Sequence, residues 1–184
     1  MNGEDPDLAL IERIARGEAD AVRLLVSAKL PRVLALATRM LGDRPEAEDV
    51  SQEVFERAWK QAARWQAGRA RFDTWLHTVT LNLCRDRLRR RRETTVAELP
   101  EQVDPAPRPD EAMGESQRSR CVEAAVRQLP ARQREAILLV HYQDMSNIEA
   151  AGVLGVSIEA LESLLARARR SLRRTLRLGV EDDE

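Results

Sequence analysis

The chain has 184 residues, with 30 basic and 31 acidic side chains, and its formal net charge at pH 7 is −1. Hydrophobic residues make up 43% and charged residues 33% of it, which is typical of a soluble globular protein and excludes a disordered one. The near-zero net charge argues against a nucleic-acid partner, but it does not show where the charges lie.

Several classes of protein are excluded by what the sequence lacks. No apolar run approaches 18 residues, so no membrane-spanning helix is predicted. The acidic segment 1–7 has no apolar stretch, so we expect no signal peptide and a cytoplasmic protein. Cys84 and Cys121 are isolated, which argues against a disulfide framework or a zinc site. With only His77 and His141 and no nucleophile–base or phosphate-binding motif, we expect no cofactor and no enzymatic activity.

Helical periodicity dominates the first half of the chain. Apolar residues recur at helical spacing over 8–15 and 21–41, with Pro31 expected to kink or restart the second helix. A third helix is predicted over 44–64, because a proline and several acids suit its first turn. After a loop, Asp73 is expected to be the N-cap of a long helix that ends in four arginines, at residue 92.

The composition changes over residues 93–115, which hold four prolines, seven acids and one arginine. This segment has a net charge of −6 and no apolar periodicity, so it is predicted to be a flexible linker. Helical spacing returns over 116–178. The predicted fold is all-α, with two small helical domains, 8–92 and 116–178, joined by the acidic linker.

The most specific local pattern lies in residues 146–170. Ser146 and Glu149 have the spacing of a capping box at the start of a short helix. Gly155 suits a tight turn, and Ser157 can cap a second helix. Together they predict a helix-turn-helix, although an ordinary helical hairpin is the alternative.

The arginines are concentrated in two segments. Residues 85–92 carry a net charge of +5 and residues 165–178 carry +6, which suits binding to phosphates. A solvated basic face is the alternative. Five of the six aromatic residues lie between Phe55 and Trp75, and arginines beside aromatics suit single-stranded nucleic acid. By their helical spacing, Phe55, Trp59 and Trp75 are more simply explained as core.

Three motifs occur in the order found in bacterial sigma factors. Residues 47–59 resemble the helix of these proteins that binds core RNA polymerase. Residues 72–76, with Val79, Asn82, Asp86, Arg89 and Arg90, resemble their promoter-melting and minus-10-reading helix. Residues 129–136 and the helix-turn-helix resemble their minus-35-reading domain. The order, spacing and length are similar to those of the extracytoplasmic-function (ECF) class of the sigma-70 family.

The resemblance implies a transcription initiation factor that binds the large subunits of core RNA polymerase, promoter DNA and an anti-sigma factor. It implies three sets of site residues. The polymerase-binding set is Asp49, Gln52, Glu53 and Glu56, for which a solvated helix face is the alternative. The minus-10 set is Trp65, Phe72, His77, Asn82, Arg85, Arg89 and Arg90. The minus-35 set is Ser157, Glu162, Ser163, Arg167, Arg169 and Arg170.

The predicted recognition helix departs from the family pattern at its start. Glu159, Glu162 and Leu164 stand where small and basic residues are common, so the minus-35 sequence is not carried over from the family. Glu162 can accept a hydrogen bond from a cytosine amino group or repel a phosphate, and Leu164 can be additional core. A stand-alone helix-turn-helix regulator is the alternative function, but it leaves residues 44–92 without a role.

Overall fold

Helices contain most of the residues in the computed structural model, which describes residues 5–66, 68, 71–97 and 115–181. The first domain comprises α1 (Leu8–Ala15), α2 (Ala19–Leu41), α3 (Arg44–Ala62) and α4 (Phe72–Ala97). The second comprises α5 (Glu115–Arg127), α6 (Ala131–Ile137), a π-helical segment (Leu138–Tyr142), α7 (Asn147–Leu154) and α8 (Ile158–Glu181). No strand occurs in these described ranges, and the predicted all-α class is confirmed.

The core of the first domain lies where α2, α3 and α4 meet, and α1 packs against α2 and α3. Leu36, Val50, Val54 and Leu76 have no exposed surface. Burying each aliphatic side chain of this size contributes about 1.5–3 kcal/mol. Through this shared core α3 and α4 also pack against each other.

A sharp turn made of Gly42 and Asp43 joins α2 to α3, and each residue ends or begins a helix. Gly42 ends α2 with a φ of 69°, a left-handed conformation that favours glycine, and its amide donates to the Thr38 carbonyl at 2.8 Å. The next residue, Asp43, is the N-cap of α3, because its Oδ1 accepts from the Glu46 amide at 2.9 Å.

The helices differ from the sequence predictions at three places. α2 continues through Pro31 as a single helix, so the chain is not restarted there. α4 begins at Phe72, which places Asp73 in the first turn and not at the N-cap. α4 also runs to Ala97, past the end expected at residue 92. Residues 98–114, which contain most of the predicted linker, lie outside the described residues.

The second domain is built around α8, against which α5, α6 and α7 all pack. Leu138, Leu139 and Leu161 are completely buried in its core. The predicted capping box is present, since the Ser146 hydroxyl accepts from the Glu149 amide at 3.3 Å and Glu149 accepts from the Ser146 amide at 3.0 Å. α7, a turn at 155–157 and α8 therefore form the predicted helix-turn-helix.

Candidate functional site

One face of α3 carries the four polar side chains predicted to bind polymerase. Their spacing of three and four residues places them on one side of the helix. Asp49, Gln52 and Glu56 are exposed, and Gln52 Nε2 donates to Glu56 Oε1 at 3.2 Å. Glu53 is half-buried and paired with Arg57 at 2.6 Å. The face is therefore acidic and accessible except at Glu53.

An apolar groove of about 630 Å³ lies beside this acidic face. It is lined by residues of α1, α2 and α3, among them Leu25, Val26, Phe55 and Trp59, with Glu48, Gln52 and Glu56 also on its wall. The Trp59 side chain was expected in the core, but it is 61% exposed. The neighbouring Ala58 occupies the buried position instead, so the indole lies at the groove.

Three aromatic rings cluster where α4 begins. The ring centroids of Trp65 and Phe72 are 5.1 Å apart with planes at 77°, and those of Trp65 and Trp75 are 6.0 Å apart at 72°. Phe72 is completely buried, whereas Trp65 and Trp75 are half-buried. Of the predicted minus-10 residues here, Trp65 keeps an accessible surface and Phe72 supports it from the core.

Two other predicted minus-10 residues face the second domain. His77 is 1% exposed; its Nδ1 lies 2.7 Å from the Asp73 carbonyl oxygen, and its Nε2 lies 3.3 Å from Gln143 Oε1. Arg85 donates through Nε and Nη2 to the two carboxylate oxygens of Glu135, at 2.7 and 2.8 Å. In this arrangement His77 is not accessible to DNA, and two of the three guanidinium nitrogens of Arg85 are engaged by Glu135.

The Arg85–Glu135 pair joins the two domains at a position where the carboxylate is almost completely buried. Glu135 is 1% exposed, and it also lies 3.4 Å from Arg132. The hydrogen bond with Glu135 raises the pKa of the Arg85 guanidinium above its ordinary value. A bidentate pair of this kind is directional, so it fixes α4 against α6.

The remaining minus-10 residues lie on the exposed side of α4. Asn82, Arg89 and Arg90 are all exposed, at positions that share one helix face. The Asn82 Oδ1 atom accepts from Arg85 Nη1 at 2.8 Å, and Arg89 lies 3.0 Å from Asp86. Asn82, Arg89 and Arg90 are thus accessible, whereas His77 is buried and Arg85 is engaged by Glu135.

The outer face of α8 presents the predicted minus-35 residues together. Every member of that set is exposed, while Leu161, Leu165 and Ala168 on the opposite face are buried. The Ser157 hydroxyl accepts from the Ala160 amide at 3.2 Å, so this side chain caps α8. Leu164 is half-buried against the core, in line with the alternative of a packing role.

A small basic cavity lies at the middle of α8. Its walls are formed by Gln133, Arg167, Arg170, Ser171 and Arg174. Three guanidinium groups around one cavity create a positive potential that suits a phosphate. The basic concentration seen in the sequence is therefore retained on the surface of the folded domain.

Sequence reasoning missed the residues that connect the domains and the start of α4. Glu135 and Gln143 are both 1% exposed, and Lys29 lies between two carboxylates. A signal was present for Glu135, because an acid directly precedes an apolar run, and for Lys29, which is one of only two lysines. Within the described ranges, no group of three potential metal ligands occurs and no helix could cross a membrane.

Both halves of the chain match models of one protein family. Residues 25–94 match "Sigma-70 region 2" and residues 119–172 match "Sigma-70, region 4". The chain is 35% identical over 153 residues to "ECF RNA polymerase sigma factor SigE" of Mycolicibacterium smegmatis. The aligned region covers 81% of this chain and 59% of that protein. The chain therefore spans somewhat more than half the length of this relative.

Two solved structures have the same architecture. CnrH, in complex with the cytosolic domain of CnrY, superposes with a TM-score of 0.69 at 30% identity, covering 94% of this chain and 97% of that one. The sigma factor RpoE of Bartonella quintana, in complex with the anti-sigma factor NepR, gives a TM-score of 0.70 at 26% identity, covering 84% and 96%.

The two regions, their order and their helical architecture define a class of transcription initiation factor. The chain belongs to the ECF class of the sigma-70 family. Members of this family are not enzymes; they direct promoter-specific initiation through regions 2 and 4, and this chain carries both regions.

Proposed function

We propose that this chain binds core RNA polymerase and directs it to promoters, with residues 8–92 reading and melting the minus-10 element and residues 116–178 reading the minus-35 element. The observation that carries the proposal is the combination, in one chain, of an acidic α3 beside an apolar groove with a capped helix-turn-helix whose outer face is basic. A stand-alone regulator needs only the second of these features.

The proposed polymerase interface joins the acidic face of α3 to the apolar groove. Asp49, Gln52 and Glu56 supply accessible polar groups, and Trp59 supplies a large exposed aromatic surface. An aromatic side chain surrounded by polar groups is typical of an interface hot spot. The complementary partner is a basic helical surface with apolar side chains, as the resemblance implies for a coiled coil of the large polymerase subunit.

The proposed minus-10 interface consists of the aromatic cluster and the exposed face of α4. Trp65 offers a half-buried indole against which an unstacked base can lie, while Arg89 and Arg90 are exposed to bind phosphates. Capturing a base that has left the duplex recovers part of the cost of melting. His77 and Arg85 join this interface only if the second domain moves away from α4.

The proposed minus-35 interface is the outer face of α8, placed in the major groove. Ser163 and Glu162 lie in the first turns, where a recognition helix contacts base edges. Arg167, Arg169 and Arg170 follow on the same exposed surface and are suited to phosphates. Glu162 would then favour cytosine at the position that it contacts, because its carboxylate can accept a hydrogen bond from the cytosine amino group.

We infer that the partners of this chain include an anti-sigma factor. We also infer that this chain acts in the cytoplasm. The solved structure of the Bartonella quintana RpoE contains the anti-sigma factor NepR, which supports this inference by similarity. The apolar groove and acidic face of α3 are the accessible surface that such a factor would have to cover in order to exclude polymerase.

Run-off transcription with purified core RNA polymerase, followed by mapping of the start sites, tests the proposal. We expect transcripts from a defined set of promoters only when the chain is added. A gel shift with and without core polymerase addresses the alternative function. Tight, specific binding to duplex DNA without polymerase would show a stand-alone regulator and contradict the proposal.

A further inference from the structure

A polar network connects the N-terminal segment to the start of α4. The Phe72 amide donates to Asp5 Oδ2 at 2.7 Å, and Asp5 Oδ1 accepts from the Asp7 amide at 3.1 Å. Lys29 Nζ lies 2.7 Å from Asp7 Oδ2 and 3.0 Å from Asp73 Oδ1. The network therefore ties two separate parts of the chain, the N-terminal segment and α2, to the first turn of α4.

The residue just before α4 has no side-chain acceptor for the first amide groups of this helix. The first amide groups of a helix have no partner within the helix and usually bond to the side chain just before it. That residue is Arg71, which has no acceptor atom, and its guanidinium binds Glu149 at 2.7 Å. Asp5, 67 residues earlier, supplies an acceptor to one of these first amides, that of Phe72.

The Lys29 bridge is largely shielded from water. The side chains of Lys29 and Asp7 are only 14% and 10% exposed. Burial alone would lower the pKa of Lys29, but the adjacent carboxylates of Asp7 and Asp73 raise the pKa above its ordinary value, so the ammonium stays charged. An ammonium with three donors can bond two carboxylates at once and hold them together.

The network acts on the aromatic cluster through Phe72. This ring is completely buried, and its centroid lies 5.1 Å from that of Trp65 and 5.5 Å from that of Trp75. A shift of the first turn of α4 would therefore displace both tryptophans, because a close-packed cluster transmits small movements. The match to region 2 begins only at residue 25, so Asp5 and Asp7 lie outside it.

We propose that Asp5, Asp7 and Lys29 are positioning residues for the reading of the minus-10 element. They fix Phe72, and through Phe72 they fix the indole of Trp65, on which an unstacked base lies, together with the neighbouring indole of Trp75. This inference rests on the minus-10 role proposed above. The three residues touch no DNA themselves; they determine how sharply the aromatic cluster distinguishes one base from another.

The test uses holoenzyme reconstituted from core RNA polymerase and the full chain, on a promoter found by start-site mapping. Templates carry single base substitutions in the minus-10 element. The discrimination ratio is the run-off transcript yield from the preferred sequence divided by the yield from a substituted one. The variants are Asp5→Ala and Lys29→Met, with Asp5→Asn as the conservative replacement that keeps an acceptor. Asp20→Ala is the matched control, because Asp20 is an exposed acid whose ion pair, among the described residues, is with Arg13.

We expect Asp5→Ala and Lys29→Met to lower the discrimination ratio about fivefold, which corresponds to about 1 kcal/mol. Asp5→Asn should restore most of the ratio, and Asp20→Ala should leave it unchanged. Affinity for core polymerase, measured separately, should not change in any variant, because none of these side chains lies on the acidic face of α3.

Two results would overturn the inference. One is an unchanged discrimination ratio in both Asp5→Ala and Lys29→Met. The other is an equal loss of transcription on every template together with a lower melting temperature, since the network would then support only the fold. A wild-type holoenzyme that shows no minus-10 discrimination at all would instead overturn the proposed minus-10 role, and the inference with it.

Discussion

Trp59 is an exposed indole on a helix whose completely buried side chains are small or aliphatic. Its exposure of 61% leaves a large apolar surface in water beside the acidic groups of α3. An unpaired apolar surface of this kind is unfavourable unless a partner covers it. The residue therefore belongs to the proposed polymerase interface and not to the core.

Replacing Trp59 with Ala should weaken binding to core polymerase without unfolding the domain. A central aromatic of an interface contributes about 2 kcal/mol, so we expect an affinity loss of about 30-fold. The measurement is a titration of labelled chain with core polymerase, with circular dichroism to check the fold. The neighbouring exposed Lys60→Ala is the control. Unchanged affinity in Trp59→Ala would place the interface elsewhere.

The two cysteines differ in their environments. Burial, together with the nearby Glu135 carboxylate, raises the pKa of the Cys84 thiol to about 12, whereas Cys121 is exposed. Only the thiolate reacts readily, and a free cysteine has a pKa of about 8.5.

At about pH 8 a thiol reagent should therefore modify Cys121 in the native protein and leave Cys84 untouched. Mass spectrometry of the labelled protein measures this directly. Cys121→Ser should abolish labelling under native conditions, and urea should expose the second thiol. Rapid native labelling of Cys84 would mean that the surroundings of α4 open readily.

At the scale of single elements, the helix-turn-helix depends on its caps. The Ser146 hydroxyl and the Glu149 carboxylate each satisfy an amide at the start of α7. The hydrogen bonds from Ser146 lower the pKa of Glu149 below its ordinary value. The capping box therefore contributes fully above the ordinary carboxyl pKa, and its contribution is lost as the pH falls through the lowered pKa.

Ser146→Ala should reduce the free energy of unfolding by about 1 kcal/mol at neutral pH. The difference from wild type should shrink as the pH falls and Glu149 becomes protonated. Urea unfolding at two pH values measures both effects, with Ser163→Ala, an exposed serine within α8, as the control for loss of a hydroxyl. An equal deficit at both pH values would show that Glu149 does not take part.

At the scale of the whole molecule, the second domain covers part of the proposed minus-10 interface. Arg85 binds Glu135, His77 meets Gln143, and Arg71 binds Glu149. Each of these pairs joins the first domain to the second. Two of the three guanidinium nitrogens of Arg85 donate to Glu135, so full access of a phosphate to this side chain requires the domains to separate.

Glu135→Gln should weaken this docking, because a neutral amide cannot replace the bidentate charged pair. We expect a larger radius of gyration by small-angle X-ray scattering than for wild type. Glu12→Gln, an exposed acid of α1, is the matched control. A radius of gyration equal to that of wild type would show that the Arg85–Glu135 pair does not hold the domains together.

Chemistry between near neighbours in the sequence was sufficient to predict most helix ends and the helix-turn-helix. Ser146 and Glu149 lie three residues apart, and the Gly42 amide bonds to a carbonyl of α2, the helix that it ends. These contacts join residues that are close together in the sequence. The two arginine-rich segments and the motifs around them likewise predicted the family. These features depend on spacing along the helix, which the sequence states directly.

Only the tertiary structure decided which face of each helix is accessible and which distant groups meet. Trp59 and Trp75 both fit an apolar stripe, yet Trp59 is 61% exposed whereas Trp75 is half-buried in the aromatic cluster. Asp5 reaches an amide 67 residues away, and Arg85 reaches a carboxylate 50 residues away. Helical periodicity fixes the side of a helix on which a residue lies, but the packing of other helices determines what covers that side.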